Sequence, residues 1–386
     1  MTRKWLRWIP AVAVPAVIAA GVLSGSLPAS AGDPLPEKTP QQVLLMVAQH
    51  GEKSLSGTLE QSSEIGLPDL PTSGSGARSP ETAWLELLAG PHTARIYLDG
   101  PGKARVQVMD KMAERDAVTN GNDLWFYNSK DNTAAHAQLP ADAADRQEAR
   151  PGTQTPAELA DKLLAKLDPG TAVTVGPDTR VAGRAAYNLV LTPKSDVTLL
   201  ASVAIAVDGE SGLPLGVEVK ARGQSGPAFS VAFTSLTLEA PDASLFNFTP
   251  PPGATVKEIP LADHKADAAA LPPDARTANA AKRPTVIGTG WESVLEFPAG
   301  SITLPDQTPP QTGAPDQAAA NPLQPGTADP RGTRPDAAAL LEQAAVAVPG
   351  GKLVSTSLVN VLILDDGRVL AGSVPLERLQ SAATQR

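Results

Sequence analysis

The residues of this sequence that could do chemistry are few, because it holds four histidines and no cysteine. The lack of cysteine excludes disulfides, thiolate metal sites, a cysteine nucleophile and a lipid-modified N-terminal cysteine. His50, His92, His136 and His264 are scattered without the spacing of metal ligands, so no zinc or iron site is predicted. The sequence therefore predicts neither a metal nor a cofactor.

One histidine and one serine are candidates for a nucleophilic pair. His136 ends the segment 133–136, TAAH, and Ser225 is central in 223–227, GQSGP. A serine nucleophile needs a histidine that is itself held by a buried carboxylate. The two segments lie closer together in sequence than the histidine and serine segments of a trypsin-like protease. Each segment is also explained as part of a β-turn. We therefore predict no catalytic residue and interpret the chain as a non-enzymatic protein.

Apolar strands are the remaining feature of the sequence that could bind a ligand. Hydrophobic residues make up 42% of the chain and aromatic residues only 4%, so any cavity would be lined mainly by aliphatic side chains. The segments 124–127 and 189–191 are apolar on both faces of a strand, so both faces need a cover. Helices could cover one face and an acyl chain the other. Alternatively, the chain's own helices fill the cavity completely.

The candidate cavity residues are the apolar positions of these predicted strands. They are Val106, Val108, Leu124, Trp125, Phe126, Tyr127, Leu189, Leu191, Val203, Ile205, Val217, Val219, Phe229, Val231 and Phe233. Arg105, a cation on a predicted strand, is a candidate contact for a lipid headgroup or an acidic partner.

The N-terminus has the pattern of an export signal. Basic residues precede an apolar run over 9–23, and Ala29-Ser30-Ala31 offers small residues for cleavage near Gly32. The alternative is an uncleaved membrane anchor, and both interpretations place the body outside the cytoplasm. The leader contains Arg3, Lys4 and Arg7, so its removal would take the formal net charge from −9 to −12. Such an acidic chain argues against a nucleic-acid partner.

The secondary structure expected to position these candidate residues consists of two helices and a series of antiparallel strands. Thr39 and Pro40 can begin a first helix before Gly51, and a second helix is predicted after Thr155. Between and after them, β-hairpins follow one another, with turns such as Asn120-Gly121. The apolar alternation changes phase after Phe233, which predicts a β-bulge near Thr234. The expected fold is mainly β (α+β), a curved antiparallel half-barrel that does not close, with a helical lid.

The segment SLFNFTPPPGATV, 244–256, predicts the end of this sheet. Phe246 and Phe248 alternate with Asn247 as in a half-buried strand, and prolines 250–252 cannot donate to a sheet ladder. We therefore expect Phe246 and Phe248 in the last strand and pairing to stop at the prolines, either as a blunted sheet edge or as the start of a linker.

A smaller β-rich segment is expected after this sheet. We predict a strand over Thr285–Phe297, a helix from Asp336 through Ala347, a hairpin of Leu353–Leu364 with Arg368–Val374, and a short helix after Pro375. The predicted organisation is a signal peptide or anchor (1–31), a half-barrel domain (36–258), an Ala/Pro-rich spacer (259–284), a strand segment (285–298), a low-complexity Pro/Gly/Asp/Gln linker (299–335), and a C-terminal helix, hairpin and short helix (336–386).

Several segments resemble the LolA/LolB-like lipoprotein-carrier family in their order and spacing. GPGKARV at 100–106 is similar to the family's RPGKFRW strand entry, and NGNDLWFY at 120–127 to its DGKTLWLYD hairpin. FNFTPPPGATV at 246–256 resembles the closing FxFxPPxGxxV. VAIAVDGESGLPLGVEV at 203–219 adds a further hairpin, so that the resemblance covers 36–257. Gly100 stands where the family has arginine, and Ala104 where it has an aromatic residue.

The resemblance implies a fold and two alternative functions. The family's fold is an unclosed β-barrel with helices over an apolar cavity, which implies an outer-membrane lipoprotein-sorting type of protein that holds a lipid or a lipoprotein acyl chain. The same half-barrel occurs in the MucB/RseB regulators of extracytoplasmic sigma factors. That likeness implies a sensor of an envelope signal that binds a membrane partner such as an anti-sigma factor. The high Ala and Pro content further indicates a high-GC, Gram-positive (actinobacterial-type) host.

Overall fold

The computed structural model describes residues 34–66, 90–110, 113–138, 169–259, 284–300 and 344–385. The predicted leader, the helix after Thr155 and most of the spacer and linker lie outside the described residues. Within the described residues, no helix is long and apolar enough to cross a membrane.

The first helix forms where the sequence predicts it. Helix α1 spans Pro40–Gln49, and Thr39 and Gln42 form a capping box: the Gln42 amide donates to the Thr39 hydroxyl at 3.3 Å, and the Thr39 amide donates to the Gln42 side-chain oxygen at 2.8 Å. These bonds satisfy two of the amides that a helix start leaves unpaired.

Twelve strands of the described residues form the first sheet. They are β1 (Ser54–Ser63), β2 (His92–Asp99), β3 (Lys103–Asp110), β4 (Ala113–Asn120), β5 (Asp123–Asn128), β6 (Thr133–Gln138), β7 (Thr171–Val181), β8 (Arg184–Pro193), β9 (Leu200–Asp208), β10 (Pro214–Ala221), β11 (Phe229–Thr237) and β12 (Thr255–Glu258). Their order is β12-β6-β5-β4-β3-β2-β1-β11-β10-β9-β8-β7, so β12 and β7 are the two ends and the sheet does not close. All pairs are antiparallel except β12 with β6. The expected mainly β fold with an unclosed antiparallel sheet is confirmed.

The β-bulge predicted near Thr234 is also confirmed. Thr58 pairs with Ser235 while the next residue, Leu59, pairs with Phe233, so Thr234 is the extra residue. Its hydroxyl donates to the Thr58 carbonyl at 3.3 Å. The bulge brings Leu236 back to the face that carries Phe233, as the phase change in the sequence indicates.

The end of the sheet differs from the prediction. Phe246 ends a 3-10 helix, Ala243–Phe246, which begins where Asp242 accepts a hydrogen bond from the Ser244 amide at 2.8 Å. Phe248 lies in a loop, and pairing resumes after the prolines, because β12 adds to β6 in parallel. Proline prevents hydrogen bonding only at its own amide, so residues 255–258 remain free to pair.

A six-stranded second sheet follows. It consists of β13 (Thr285–Ile287), β14 (Val294–Phe297), β15 (Val346–Val348), β16 (Gly351–Ser355), β17 (Asn360–Leu364) and β18 (Val369–Gly372), in the order β13-β14-β18-β17-β16-β15. Helix α2, Leu376–Thr384, packs its buried Leu379 and Ala382 against the sheet. The small β-rich segment and its terminal helix are confirmed.

Three details of this segment were predicted wrongly. The stretch Thr285–Phe297 is two strands, because Gly288 and Gly290 adopt positive φ and a 3-10 turn, Gly290–Glu292, intervenes. Leu353–Leu364 is likewise broken, since the Thr356 amide donates to the Val359 carbonyl at 3.0 Å in a turn. The predicted helix from Asp336 through Ala347 is wrong at its end, because Val346 and Ala347 belong to β15, which forms a hairpin with β16 across Pro349-Gly350. Residues 336–343 of that prediction lie outside the described residues.

Candidate functional site: the two faces of the first sheet

Most of the candidate cavity residues lie on one face of the first sheet, which we call the apolar face. Paired strand residues share a face and alternate residues return to it, so the register assigns each position. Leu189, Ile205, Val217 and Val231 lie directly across from one another on β8 to β11. Val106, Val108, Leu124, Phe126, Leu191, Val203, Val219, Phe229 and Phe233 lie on this same face.

A glycine makes room for the Phe233 side chain at the centre of this face. A Cβ on Gly57 would lie 2.6 Å from the Ser235 carbonyl oxygen and 2.7 Å from the Phe233 ring. Phe233 therefore occupies the space above β1 that a larger residue would need, and it is 2% exposed.

Helix α1 covers the apolar face at the end formed by β7 to β9. Its buried Val43 packs with Tyr187, Leu189 and Val207. The turn between β9 and β10 fits closely against the helix, because a Cβ on Gly212 would lie 2.5 Å from the Met46 carbonyl oxygen, and Gly212 has a φ of 76°. This helix is the lid element that the described residues contain.

Burial along the apolar face is high at β10 and β11, lower at β3 to β5, and high again at Ala137 on β6, which is 2% exposed. Val217, Val231 and Phe233 are almost completely buried, whereas Val106, Val108 and Leu124 are half-buried and Phe126 is 46% exposed. The buried members contact the chain's own core. The most exposed candidate cavity residue on this face is therefore Phe126 on β5.

Trp125 and Tyr127 lie on the opposite face of the same strand. The Trp125 ring stacks on the His136 ring with centroids 4.2 Å apart. Phe248 packs at 5.5 Å from Trp125 and 5.7 Å from Tyr127, measured between ring centroids. The loop that follows the 3-10 helix thus covers these two aromatics, which separates them from the other candidate cavity residues.

Arg105 also lies on the opposite face and is engaged there. Its Nη2 donates to Asp116 Oδ2 at 2.8 Å, its Nε to Asp116 Oδ1 at 3.4 Å, and its Nη1 to the Leu245 carbonyl at 3.1 Å. Burial raises the pKa of Asp116, and the hydrogen bonds and charge of Arg105 oppose that rise. These hydrogen bonds connect the 3-10 helix to β3 and β4.

His136 connects β6 to β5 and β12 on this face. Its Nδ1 lies 2.9 Å from Glu258 Oε2 on β12, and its Nε2 lies 3.0 Å from Asp123 Oδ1 on β5. Hydrogen bonds to Asp123 and Glu258 raise the pKa of His136, although burial opposes them. Both ring nitrogens are occupied by carboxylates, so neither is directed at Ser225, which follows β10.

The described residues contain no group of three or more His, Asp or Glu side chains placed to hold a metal ion. A polar groove of about 360 Å³ lies on the second sheet, where Glu296 and Asp366 accept hydrogen bonds from Arg368 at 2.8 Å each. The candidate cavity residues do not line this groove, so the candidate binding surface is the apolar face.

No protein-family model and no curated protein matches this chain. Solved structures with a similar arrangement include that of the Pseudomonas aeruginosa MucA/MucB complex, with a TM-score of 0.40 and 15% identity over 89% of this chain and 96% of that one. A LolA superfamily protein from Nitrosomonas europaea has a TM-score of 0.22 and 11% identity over 54% and 98% of the two chains. A putative outer membrane lipoprotein-sorting protein domain from Vibrio parahaemolyticus has a TM-score of 0.23 and 10% identity over 54% and 95%.

Proposed function

We propose that this chain is an exported, non-enzymatic binding protein that holds the acyl chain of a lipid or lipoprotein against the apolar face. The observation that carries the proposal is the exposure of Phe126, 46%, on a face where Val217, Val231 and Phe233 are buried and Val106, Val108 and Leu124 are half-buried. An apolar surface continuous with a protein core is stabilised by a cover. An acyl chain supplies such a cover without any catalytic group.

The energetics favour a ligand with a long hydrocarbon tail. Each methylene that leaves water stabilises a complex by about 0.8 kcal/mol. A tail laid across β3, β4 and β5 can contact Val106, Leu124 and Phe126, since all three lie on one face, on either side of β4. Export through a leader over 1–31, cleaved near Gly32, places the protein in the cell envelope, where lipid tails are its available apolar ligands.

The test compares two exposed apolar residues on opposite faces. Phe126→Ser removes the exposed ring from the apolar face, and Val256→Ser removes a side chain of similar exposure, 45%, from the opposite face on β12. We expect Phe126→Ser to weaken binding of a myristoyl lysophospholipid, measured by titration calorimetry, while Val256→Ser leaves it unchanged. Equal effects of the two substitutions would contradict the proposed binding face.

A second candidate function is regulation through a membrane partner, in the manner that the resemblance to MucB/RseB proteins implies. The favouring observation is that the second sheet is joined to the first. The Leu199 amide donates to the Ser373 carbonyl at 2.8 Å, the Ser357 amide to the Ile65 carbonyl at 2.9 Å, and Trp291 Nε1 to Thr171 Oγ1 at 2.7 Å. A joined second sheet provides a further contact surface beside the apolar face.

Partner binding is tested without disturbing these junctions. Val346 on β15 is 67% exposed, so Val346→Asp changes the outer edge of the second sheet and spares its core. If the regulatory function is correct, a membrane protein such as an anti-sigma factor is isolated with the intact chain and lost with Val346→Asp. Retention of the partner by the variant would exclude this edge as its contact surface.

A further inference from the structure

Strand β12 is held at the edge of the first sheet by few contacts. It consists of four residues, Thr255–Glu258, all of them exposed, and its pairing with β6 is the one parallel pairing among the described strands of this sheet. Prolines 250–252 precede it and cannot donate hydrogen bonds to a neighbouring strand. An edge strand that buries no side chain opens more readily than the strands of a core. The side-chain contacts of β12 therefore bear on whether it stays attached.

His136 connects β12 to the rest of the sheet through its ring. Its Nδ1 lies 2.9 Å from Glu258 Oε2 on β12, and its Nε2 lies 3.0 Å from Asp123 Oδ1 on β5. The Trp125 ring stacks on it at 4.2 Å and holds it between the two carboxylates. Only an imidazole that carries both protons can donate from both ring nitrogens. The arrangement therefore favours the charged ring.

The charged groups that contact the His136 ring, among the described residues, are the two carboxylates of Asp123 and Glu258. The further charged side chains on this face of β3 and β4 already bond to other residues: Lys103 to Asp99, Arg105 to Asp116, and Glu114 to Gln107. The charge of His136 is therefore set mainly by one carboxylate from β5 and one from β12.

We propose that β12 is a pH-dependent latch, which Glu258 holds to the protonated His136 ring and which loosens when that ring loses its proton. The inference goes beyond the proposed acyl-binding function and does not depend on it. Once neutral, the ring donates through one nitrogen and can satisfy one carboxylate only. Glu258 is 72% exposed and Asp123 50%, so water most readily replaces the contact to Glu258.

The direction of the pH dependence follows from the same contacts. Hydrogen bonds to Asp123 and then to Glu258 raise the pKa of His136, although burial opposes them. The latch is therefore closed below about pH 6.5 and loosens as the pH rises through the higher folded value. Loosening leaves the outer backbone groups of β6 open, and an open strand edge can accept a strand from another chain.

The experiment is hydrogen exchange of the Ile259 amide, which donates to the His136 carbonyl at 2.7 Å. Its protection is measured by NMR on the full exported chain between about pH 6 and about pH 8.5, relative to the intrinsic exchange rate at each pH. We expect it to fall by roughly 2- to 5-fold across this range, as for loss of an exposed ion pair.

The reference is the Ala228 amide, which donates to the Val219 carbonyl at 2.8 Å and belongs to a residue with 0% exposure. It reports the opening of the core. We expect the Ile259 amide to be far less protected than the Ala228 amide at every pH. Equal protection of the two amides would mean that β12 opens only when the core unfolds, which would overturn the latch.

Three variants separate the two carboxylates. Glu258→Gln should abolish the pH dependence of Ile259 protection, whereas Asp123→Asn keeps the contact to β12 and should retain it. His50→Gln, which removes a histidine away from β12, is the matched control and should also retain it. Constant protection of Ile259 in the intact chain, or the same fall in the Glu258→Gln variant, would overturn the proposal.

Discussion

Trp125 and Phe126 are neighbours on β5 whose side chains lie on opposite faces of the first sheet. Trp125 stacks on His136 at 4.2 Å and is covered by Phe248, whereas Phe126 is 46% exposed on the apolar face. One strand therefore contributes both to the opposite face, which we call the closed face because the 245–248 segment covers part of it, and to the apolar face, which we propose for ligand binding. Substitutions on the two faces are expected to have different effects.

On the closed face, Arg105→Gln should be strongly destabilising. It would leave the Asp116 carboxyl, whose side chain is 3% exposed, without its ionic partner and would release the Leu245 carbonyl. Loss of one partner of a buried ion pair costs about 3–5 kcal/mol. Because Arg105 is itself 19% exposed, we expect the lower end of that range in a urea unfolding experiment.

The double variant Arg105→Met/Asp116→Leu is the control for this interpretation. It removes the unpaired charge together with its partner, so it should be more stable than Arg105→Gln. A double variant that is no more stable than the single one would show that Arg105 acts mainly through its packing or through Leu245.

The His136 contacts predict a dependence of stability on pH. The pKa of His136 is raised in the folded chain by hydrogen bonds to Asp123 and Glu258. The stabilisation is therefore fully present below the unfolded pKa, about 6.5, and is lost as the pH rises through the higher folded value. We expect the difference in unfolding free energy between the intact chain and His136→Gln to decrease over that pH range.

The matched control for this prediction is His50→Gln. His50 lies after α1, and its Nδ1 is 2.6 Å from the Val47 carbonyl oxygen. Its substitution removes one histidine and leaves the contacts of His136 in place. If His136→Gln changed the pH dependence of unfolding no more than His50→Gln does, the contacts to Asp123 and Glu258 would not be ionic in solution.

Gly57→Ala should destabilise the first sheet through overpacking. The added methyl group would lie 2.7 Å from the Phe233 ring and 2.6 Å from the Ser235 carbonyl oxygen. Overpacking of this kind typically costs 1–3 kcal/mol. Gly51→Ala, whose Cβ would meet no atom within 4 Å, is the control, and the midpoints of thermal unfolding measure both. Equal midpoints would mean that the sheet adjusts at the β1–β11 bulge without cost.

The order of the hairpins, the first helix and the bulge at Thr234 could be predicted from the sequence, because each depends on local patterns. Alternation places side chains on faces, and the Thr39–Gln42 pattern begins a helix. The same alternation placed most of the candidate residues on one face correctly. It also counted Trp125 and Tyr127 as cavity candidates, since a strand apolar on both faces does not indicate which face is covered by the chain itself.

The contacts that cover the closed face could not be predicted, because they join residues distant in sequence. Arg105 bonds to Leu245, and His136 bonds to Glu258 through a parallel strand that follows three prolines. The alternation of Phe246 and Phe248 predicts a strand, but Asp242 begins a 3-10 turn that directs both rings to β3–β6. The Asp242-Ala-Ser244 spacing was the local signal that indicated a turn.

The most direct test of the account is to purify the exported chain under mild conditions and to measure its bound lipid by native mass spectrometry and by extraction. We predict a defined lipid with an acyl tail at close to one per chain, retained by Val256→Ser and lost or strongly reduced in Phe126→Ser. A chain that carries no lipid, or that carries the same amount in both variants, would contradict the assignment of the apolar face as a binding site.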